Sequence, residues 1–221
     1  MNLSYIFCYT LILIGSYLLG AIPFGVIAGK MAGIDVRSIG SGNVGTTNVW
    51  RALGPVAGVT VFLLDLAKGA AGTLLGLFVQ GNGQKEMFAL CALMAVLGHI
   101  FSVFLRFKGG KGIATGLGAM LGLWMPGALA AFAVWLILFL LSRMVSLASI
   151  AACIFLPIIA WSFHLPSAVA AVITLFCAVA IIKHIPNMKR IVAGTESRVS
   201  FSRRDKTKST FAQDTAEDIH E

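Results

Sequence analysis

A chain of 221 residues that is 58% hydrophobic and 12% charged cannot cover its surface with enough polar groups to be a water-soluble globule. Its mean hydropathy of +0.90 marks an integral membrane protein of several spans, with room for a polar tail but not for a soluble domain. The net charge of +8, with no folded soluble module to present it, suits anionic headgroups and anionic substrates and does not suggest nucleic acid.

Taking about 20 apolar residues per crossing, helices are expected over 3–28, 55–79, 86–105, 112–124, 126–141, 145–161 and 166–183, an all-α polytopic bundle of about seven spans. The first has no Lys or Arg before Lys30 and is too long and too uncharged in front for a cleavable signal, so it reads as a retained span.

The first polar island, SGNVGTTNVWR (Ser41 to Arg51), follows it. Gly40, Gly42 and Gly45 spell GxGxxG, but a dinucleotide fingerprint needs a preceding strand, and here a membrane helix precedes. The local physics remains: Gly42 and Gly45 let backbone N–H groups converge on an anion. Ser41, Asn43, Thr46, Thr47 and Asn48 add neutral donors, and Arg51 adds a bidentate cation. A glycine-rich turn with capping Ser and Asn is the plainer alternative. Within the next span Asp65 and Lys68 lie three apart. Each would cost about 2.5–3.5 kcal/mol alone, so they are expected to pair, either tying helices together or marking an ion or proton path.

The third expected helix carries His99 into the second island, GHIFSVFLRFKGGKGIATG (Gly98 to Gly116). FKGGKGIAT misses the Walker A pattern, yet Lys108, Gly109, Gly110, Lys111, Gly112 and Thr115 set backbone donors, a helix start and an ammonium at one point, which suits phosphate. Anchoring of Lys108 and Lys111 in lipid headgroups is the competing reading, and His99 is as easily a core histidine. Residues 112–141 form an apolar run of about 45 Å if straight, interrupted at Pro126–Gly127. Two shorter spans or a hairpin that does not fully cross both fit. Ser142, Arg143, Ser146 and Ser149 follow it.

The third island, HIPNMKRIVAGTESR (His184 to Arg198), places His184 and Asn187 on one face of a helical extension of the last span, with Lys189, Arg190, Glu196 and Arg198 beyond. Cys8, Cys91, Cys153 and Cys177 each sit in an apolar run without CxxC, indicating neither disulfides nor zinc, and no motif demands a metal or organic cofactor.

With seven spans, 15 of the 17 Lys and Arg fall in segments after odd-numbered helices; Lys68 lies within a span and Lys85 on the other side. This positive-inside asymmetry puts the N-terminus outside and the C-terminus in the cytoplasm. All three islands then share one face, and a hairpin at 112–141 would not change that, since it removes crossings in pairs.

The three islands, in this order between spans, together with YLLGAIPFG (Tyr17 to Gly25), FLLDLAKG (Phe62 to Gly69) and VSLASI (Val145 to Ile150), resemble the bacterial acyl-phosphate:glycerol-3-phosphate acyltransferase family over about residues 5–200. Thr46 and Ile113 stand where that family more usually has Ala and Val. The resemblance implies a membrane domain over 1–200 in the bacterial cytoplasmic membrane, with its active site facing the cytoplasm. It implies transfer of an acyl group from acyl phosphate to the 1-hydroxyl of glycerol 3-phosphate, forming lysophosphatidic acid and phosphate. Residues 201–221 have no counterpart and read as a disordered polar tail.

No His is followed four residues later by Asp, which excludes the other major acyltransferase mechanism, and no Ser/His/acid set is recognisable. Direct attack without an acyl-enzyme is therefore expected, with Ser41, Arg51 and Lys111 contacting phosphates and oxyanion and Ser149 donating nearby. The resemblance assigns His184 and Asn187 to orienting glycerol 3-phosphate and Glu196 to positioning the cations. Expected partners are the two substrates, membrane lipids and the soluble enzyme that supplies acyl phosphate. A transporter or channel for an organic anion or phosphate is the rival reading, disfavoured by the one-sided polar residues and the lack of an internal repeat.

Overall fold

A computed structural model describes residues 3–79 and 84–199, and every regular element among them is helical; the expected tail, 201–221, lies outside the described residues. The first long apolar stretch is broken into α1 (Leu3–Ala21) and α2 (Phe24–Met31). Pro23 supplies the reason, because it has no N–H to continue the ladder. A short helix α3 (Thr46–Leu53) then occupies the first island, where the sequence suggested only a loop. It ends at Gly54, whose φ of 89° and ψ of 179° are open essentially to glycine alone. Pro55 at once starts α4 (Pro55–Leu74), which closes in a tight turn, Leu75–Phe78.

The remaining helices are α5 (Gln84–Ile100), α6 (Ile113–Leu123), α7 (Met125–Ser142), α8 (Val145–Ser162), α9 (Ser167–Lys183) and α10 (Ile185–Val192). Among the described residues five segments are long and apolar enough to cross a bilayer: Leu3–Met31, Pro55–Phe78, Gln84–Leu105, Met125–Ser142 and Val145–Ser162. The α9–α10 pair, bent by 54°, makes a sixth if taken together. The exception to the expected seven is α6: its 11 residues rise about 16 Å, half of a hydrocarbon core about 30 Å thick. The chain breaks at Trp124, and Pro126 sits in the first turn of α7.

Glycines set how closely these helices approach. A Cβ on Gly20 would lie 2.0 Å from the Ala95 carbonyl oxygen, and one on Gly98 would lie 2.1 Å from that of Tyr17, so α1 and α5 meet backbone to backbone. The same reciprocity joins α4 to α6, with Gly69 against the Thr115 oxygen (2.1 Å) and Gly118 against that of Leu66 (1.9 Å). Small residues do this in lipid because van der Waals contact, not hydrophobic exclusion, drives association there. The main core gathers side chains of α5, α6, α8 and α9, including Val96, Met120, Leu156 and Ile173. The outward faces stay apolar, as in Leu140 and Leu141 of α7, which are exposed as lipid-facing side chains should be. The fold is that of a multi-pass membrane protein.

Candidate active site

The first island is pinned from within. Asn48, 1% exposed, accepts the backbone N–H and hydroxyl of Ser41 at 3.0 and 3.3 Å, while its amide nitrogen donates to the Val36 and Ile39 carbonyls at 2.8 and 3.0 Å. Both halves of the side chain are thus engaged, and Asn48 holds the loop instead of offering a donor to a ligand, contrary to the expectation from sequence. The Gly42 N–H likewise closes a turn on Ile39 (3.1 Å). Asp35 accepts from the backbone N–H of Arg37 and pairs with its guanidinium at 2.8 Å, fixing the turn that leads in. Gly45 caps α3, behind which Thr47 and Asn43 sit half-buried, while Arg51 in its last turn is exposed. The buried Thr46 hydroxyl has no hydrogen-bond partner among the described residues.

The second island folds back on the end of α5. The Gly109 and Gly110 N–H groups donate to the Ile100 and His99 carbonyls, both at 3.1 Å, so neither is free for the phosphate the sequence suggested. These glycines are present for close packing: a Cβ on Gly110 would sit 2.2 Å from His99 Nε2. Gly112, at φ 83°, turns the chain into α6, whose first-turn amides and positive dipole end are directed toward the same region as Lys111. Thr115, fully buried, has a hydroxyl without a partner among the described residues. Lys108 is exposed on the turn.

The third island meets the second directly. The Lys111 ammonium donates to Asn187 Oδ1. The Asn187 amide donates to Glu196 Oε1 (2.7 Å), which also accepts the Ser146 hydroxyl of α8 (2.7 Å), and Arg190 Nε donates to Oε2 (2.7 Å). Burial raises the Glu196 carboxyl, but the bonds from Ser146, Asn187 and Arg190 outweigh it and hold it below its usual range. Burial is the main force on Lys111, and its pKa falls to about 8; Glu196 opposes this, while Arg190 and Arg51 add to it. That last influence places Arg51 of the first island within electrostatic reach of Lys111. Burial is also the main force on His184 and lowers its pKa to about 4; the Ala180 carbonyl and Glu196 oppose this, while Lys111 adds to it.

His184 and Asn187 do not lie on a straight extension of α9. The helix bends at His184, because Pro186 cannot join the ladder. Both side chains are nevertheless buried, and His184 Nδ1 lies 2.8 Å from the Ala180 carbonyl. Ser149 is set apart from the Lys111–Asn187–Glu196 network: its hydroxyl donates to the Val145 carbonyl (2.7 Å) and accepts Trp135 Nε1 (3.1 Å). Ser146, three residues nearer the loop, is the α8 serine that joins that network. The only sequence signal for Ser146 was its nearness to Ser142–Arg143.

The fold and these contacts define a multi-pass membrane enzyme with cations and amides from separate segments gathered at one point. The family model for glycerol-3-phosphate acyltransferases matches residues 10–194. A glycerol-3-phosphate acyltransferase from Trichlorobacter lovleyi is 46% identical over 185 residues, covering 83% of this chain and 94% of that one. One from Desulforamulus reducens is 44% identical over 192 residues, covering 86% and 94%. The crystal structure of PlsY (YgiH), an integral membrane glycerol 3-phosphate acyltransferase, superposes in its glycerol 3-phosphate form with a TM-score of 0.82 at 40% identity, covering 87% of this chain and 96% of that one. Its lysophosphatidic acid form gives 0.80. The chain belongs to the glycerol-3-phosphate acyltransferase family.

Proposed function

We propose that this acyltransferase moves a fatty acyl group from acyl phosphate to the 1-hydroxyl of glycerol 3-phosphate at the cytoplasmic face of a bacterial inner membrane, releasing lysophosphatidic acid and phosphate. The observation that carries the assignment of the site is the hydrogen-bonded path Lys111–Asn187–Glu196–Ser146, which joins segments far apart in the chain around one ammonium.

An acyl phosphate is already activated, so the protein has to hold two phosphorylated molecules in register and stabilise developing charge. The glycerol 3-phosphate hydroxyl oxygen bonds to the carbonyl carbon, and the carbon–oxygen bond to phosphate breaks. The hydroxyl proton passes to a substrate phosphate oxygen, and phosphate leaves. Lys111, Arg51 and the Ser41 hydroxyl meet the phosphates and the oxyanion, helped by the first-turn amides of α3 and α6. Asn187 and His184 orient glycerol 3-phosphate. Glu196, fastened by Ser146, keeps Asn187 and Arg190 in place. The positive-inside asymmetry supports an N-terminus outside and a C-terminus in the cytoplasm; beside the six longer segments this needs α6, about 16 Å long, to complete the seventh crossing together with the residues that flank it.

Purified protein in detergent, given synthetic acyl phosphate and glycerol 3-phosphate, is expected to make lysophosphatidic acid, whereas acyl-CoA and acyl carrier protein donors are not expected to support it. Turnover with acyl-CoA and none with acyl phosphate would overturn the donor assignment. With acyl phosphate as the donor, the soluble enzyme that makes it is the upstream partner.

A further inference from the structure

Asp65, Lys68 and His99 form a second polar cluster, buried among apolar helices and outside the chemistry above. The Lys68 and Asp65 side chains are each 3% exposed and pair at 2.7 Å. Lys68 Nζ also donates to the Ile22 carbonyl at 2.6 Å, which the Phe24 N–H shares at 3.2 Å at the break beside Pro23, and stands 5.6 Å from the centre of the Phe24 ring. On the other side His99 Nδ1 lies 3.7 Å from Asp65 Oδ1. A cavity of about 10 Å³, space for a single water, separates the cluster from Gly25, Val44 and Ser102.

Each arm of this cluster ends on one of the islands. Beyond Ile22 and Pro23, Gly25 packs so tightly on the Val44 carbonyl that a Cβ there would lie 1.9 Å from the oxygen, which ties α2 to the loop bearing Ser41 and α3. Beyond Asp65, His99 carries Gly109 and Gly110 on its own carbonyl and ring, immediately before Lys111. A buried ion pair adds little stability over well-packed apolar side chains, but its contacts are directional.

We propose that Asp65, Lys68 and His99 are positioning residues that set the spacing between the two anion-holding islands, so that the two substrate phosphates meet in register. The inference rests on the site reading given above. It goes beyond that reading in placing a determinant of turnover inside the membrane, away from either substrate.

Asp65→Asn keeps the shape and removes the charge. Expected in the purified enzyme is a fall in kcat of about a hundredfold, the size of effect that an ångström of misplacement produces. Glycerol 3-phosphate binding, measured by calorimetry, should stay within about threefold, since each island keeps its own donors. Unchanged kcat per folded molecule, with only a lowered Tm, would show a purely structural tie and overturn the proposal. Should Asp65→Asn not fold, Gly110→Ala, His99→Ala and the double variant decide the matter. Losses in kcat that multiply refute the coupling, and a double variant no worse than its poorer parent supports it. Lys111→Ala separates the two levels. If it is inactive while Asp65→Asn turns over normally, only the positioning inference fails; if it is fully active, the site reading fails and takes the inference with it.

Discussion

The Lys111 ammonium reaches a side-chain oxygen 76 positions away, that of Asn187, and with this one contact the loop before α6 is locked to the bent end of α9. Asn187 passes the constraint to Glu196, and Glu196 to Ser146 on α8. Four segments thus depend on each other around one ammonium, at the point where the proposed site would meet the substrates' negative charge.

The pH dependence of the enzyme should reveal Lys111. Its pKa is lowered from 10.5 to about 8, so it loses its charge as pH rises through about 8 and, on the proposed role, part of its hold on phosphate with it. The pH profile of kcat/KM, which reports the free enzyme, should show an alkaline limb near that value. Lys111→Arg, charged throughout, should lack the limb while working less well, because the planar fork does not match the site. For folding the sign is opposite: the buried ammonium is a penalty below about 8, relieved as pH rises toward 10.5, so Tm should not fall over that window on account of Lys111.

Glu196 acts at the acid end. Its folded pKa lies below 4.5, so the stability it contributes is present above that value and is lost as pH falls through the folded one. Glu196→Gln should abolish this acid-side dependence of Tm. It should also lower kcat/KM by about tenfold to a hundredfold, since one acceptor of the Ser146, Asn187 and Arg190 bonds becomes a donor.

Arg51→Lys tests the guanidinium. Arg51 is exposed at the end of α3, so the variant should fold and elute as the parent does. A loss of at least about tenfold in kcat/KM is expected if two parallel bonds to phosphate are made. Full activity would show that a point charge suffices.

Gly118→Ala probes the α4–α6 contact. The added methyl would stand 1.9 Å from the Leu66 carbonyl oxygen, against backbone that cannot swing aside. A destabilisation of about 1–3 kcal/mol, read from thermal unfolding in detergent, is the expected cost of such overpacking.

Single cysteines at Asn43, Lys108 and Met188, introduced after replacement of the native four, should all be labelled from the cytoplasmic side of sealed vesicles. Labelling of any one from the opposite side would separate the islands and end the single-site assignment.

Much of this was legible in the chain itself. Hydropathy exposed the long helices because lipid demands runs of apolar residues, and the islands stood out because polar groups are costly there. The motif strings sufficed to identify the family. Periodicity did not reveal α3, an eight-residue helix rich in Thr, Asn and Trp; it did mark the short helix at 112–124, but not whether that helix crosses, since an apolar run reads alike whether it crosses or stops midway. Which donors remain free was decided by tertiary structure alone. Asn48, Gly42, Gly109 and Gly110 look like ligands in one dimension, yet their hydrogen-bonding groups are taken by neighbours that the sequence does not place beside them. Composition and order determine what kinds of group are present and on which stretch. Whether a given N–H, hydroxyl or carboxylate faces a substrate or another part of the protein depends on distances between segments, and those exist only once the helices have packed.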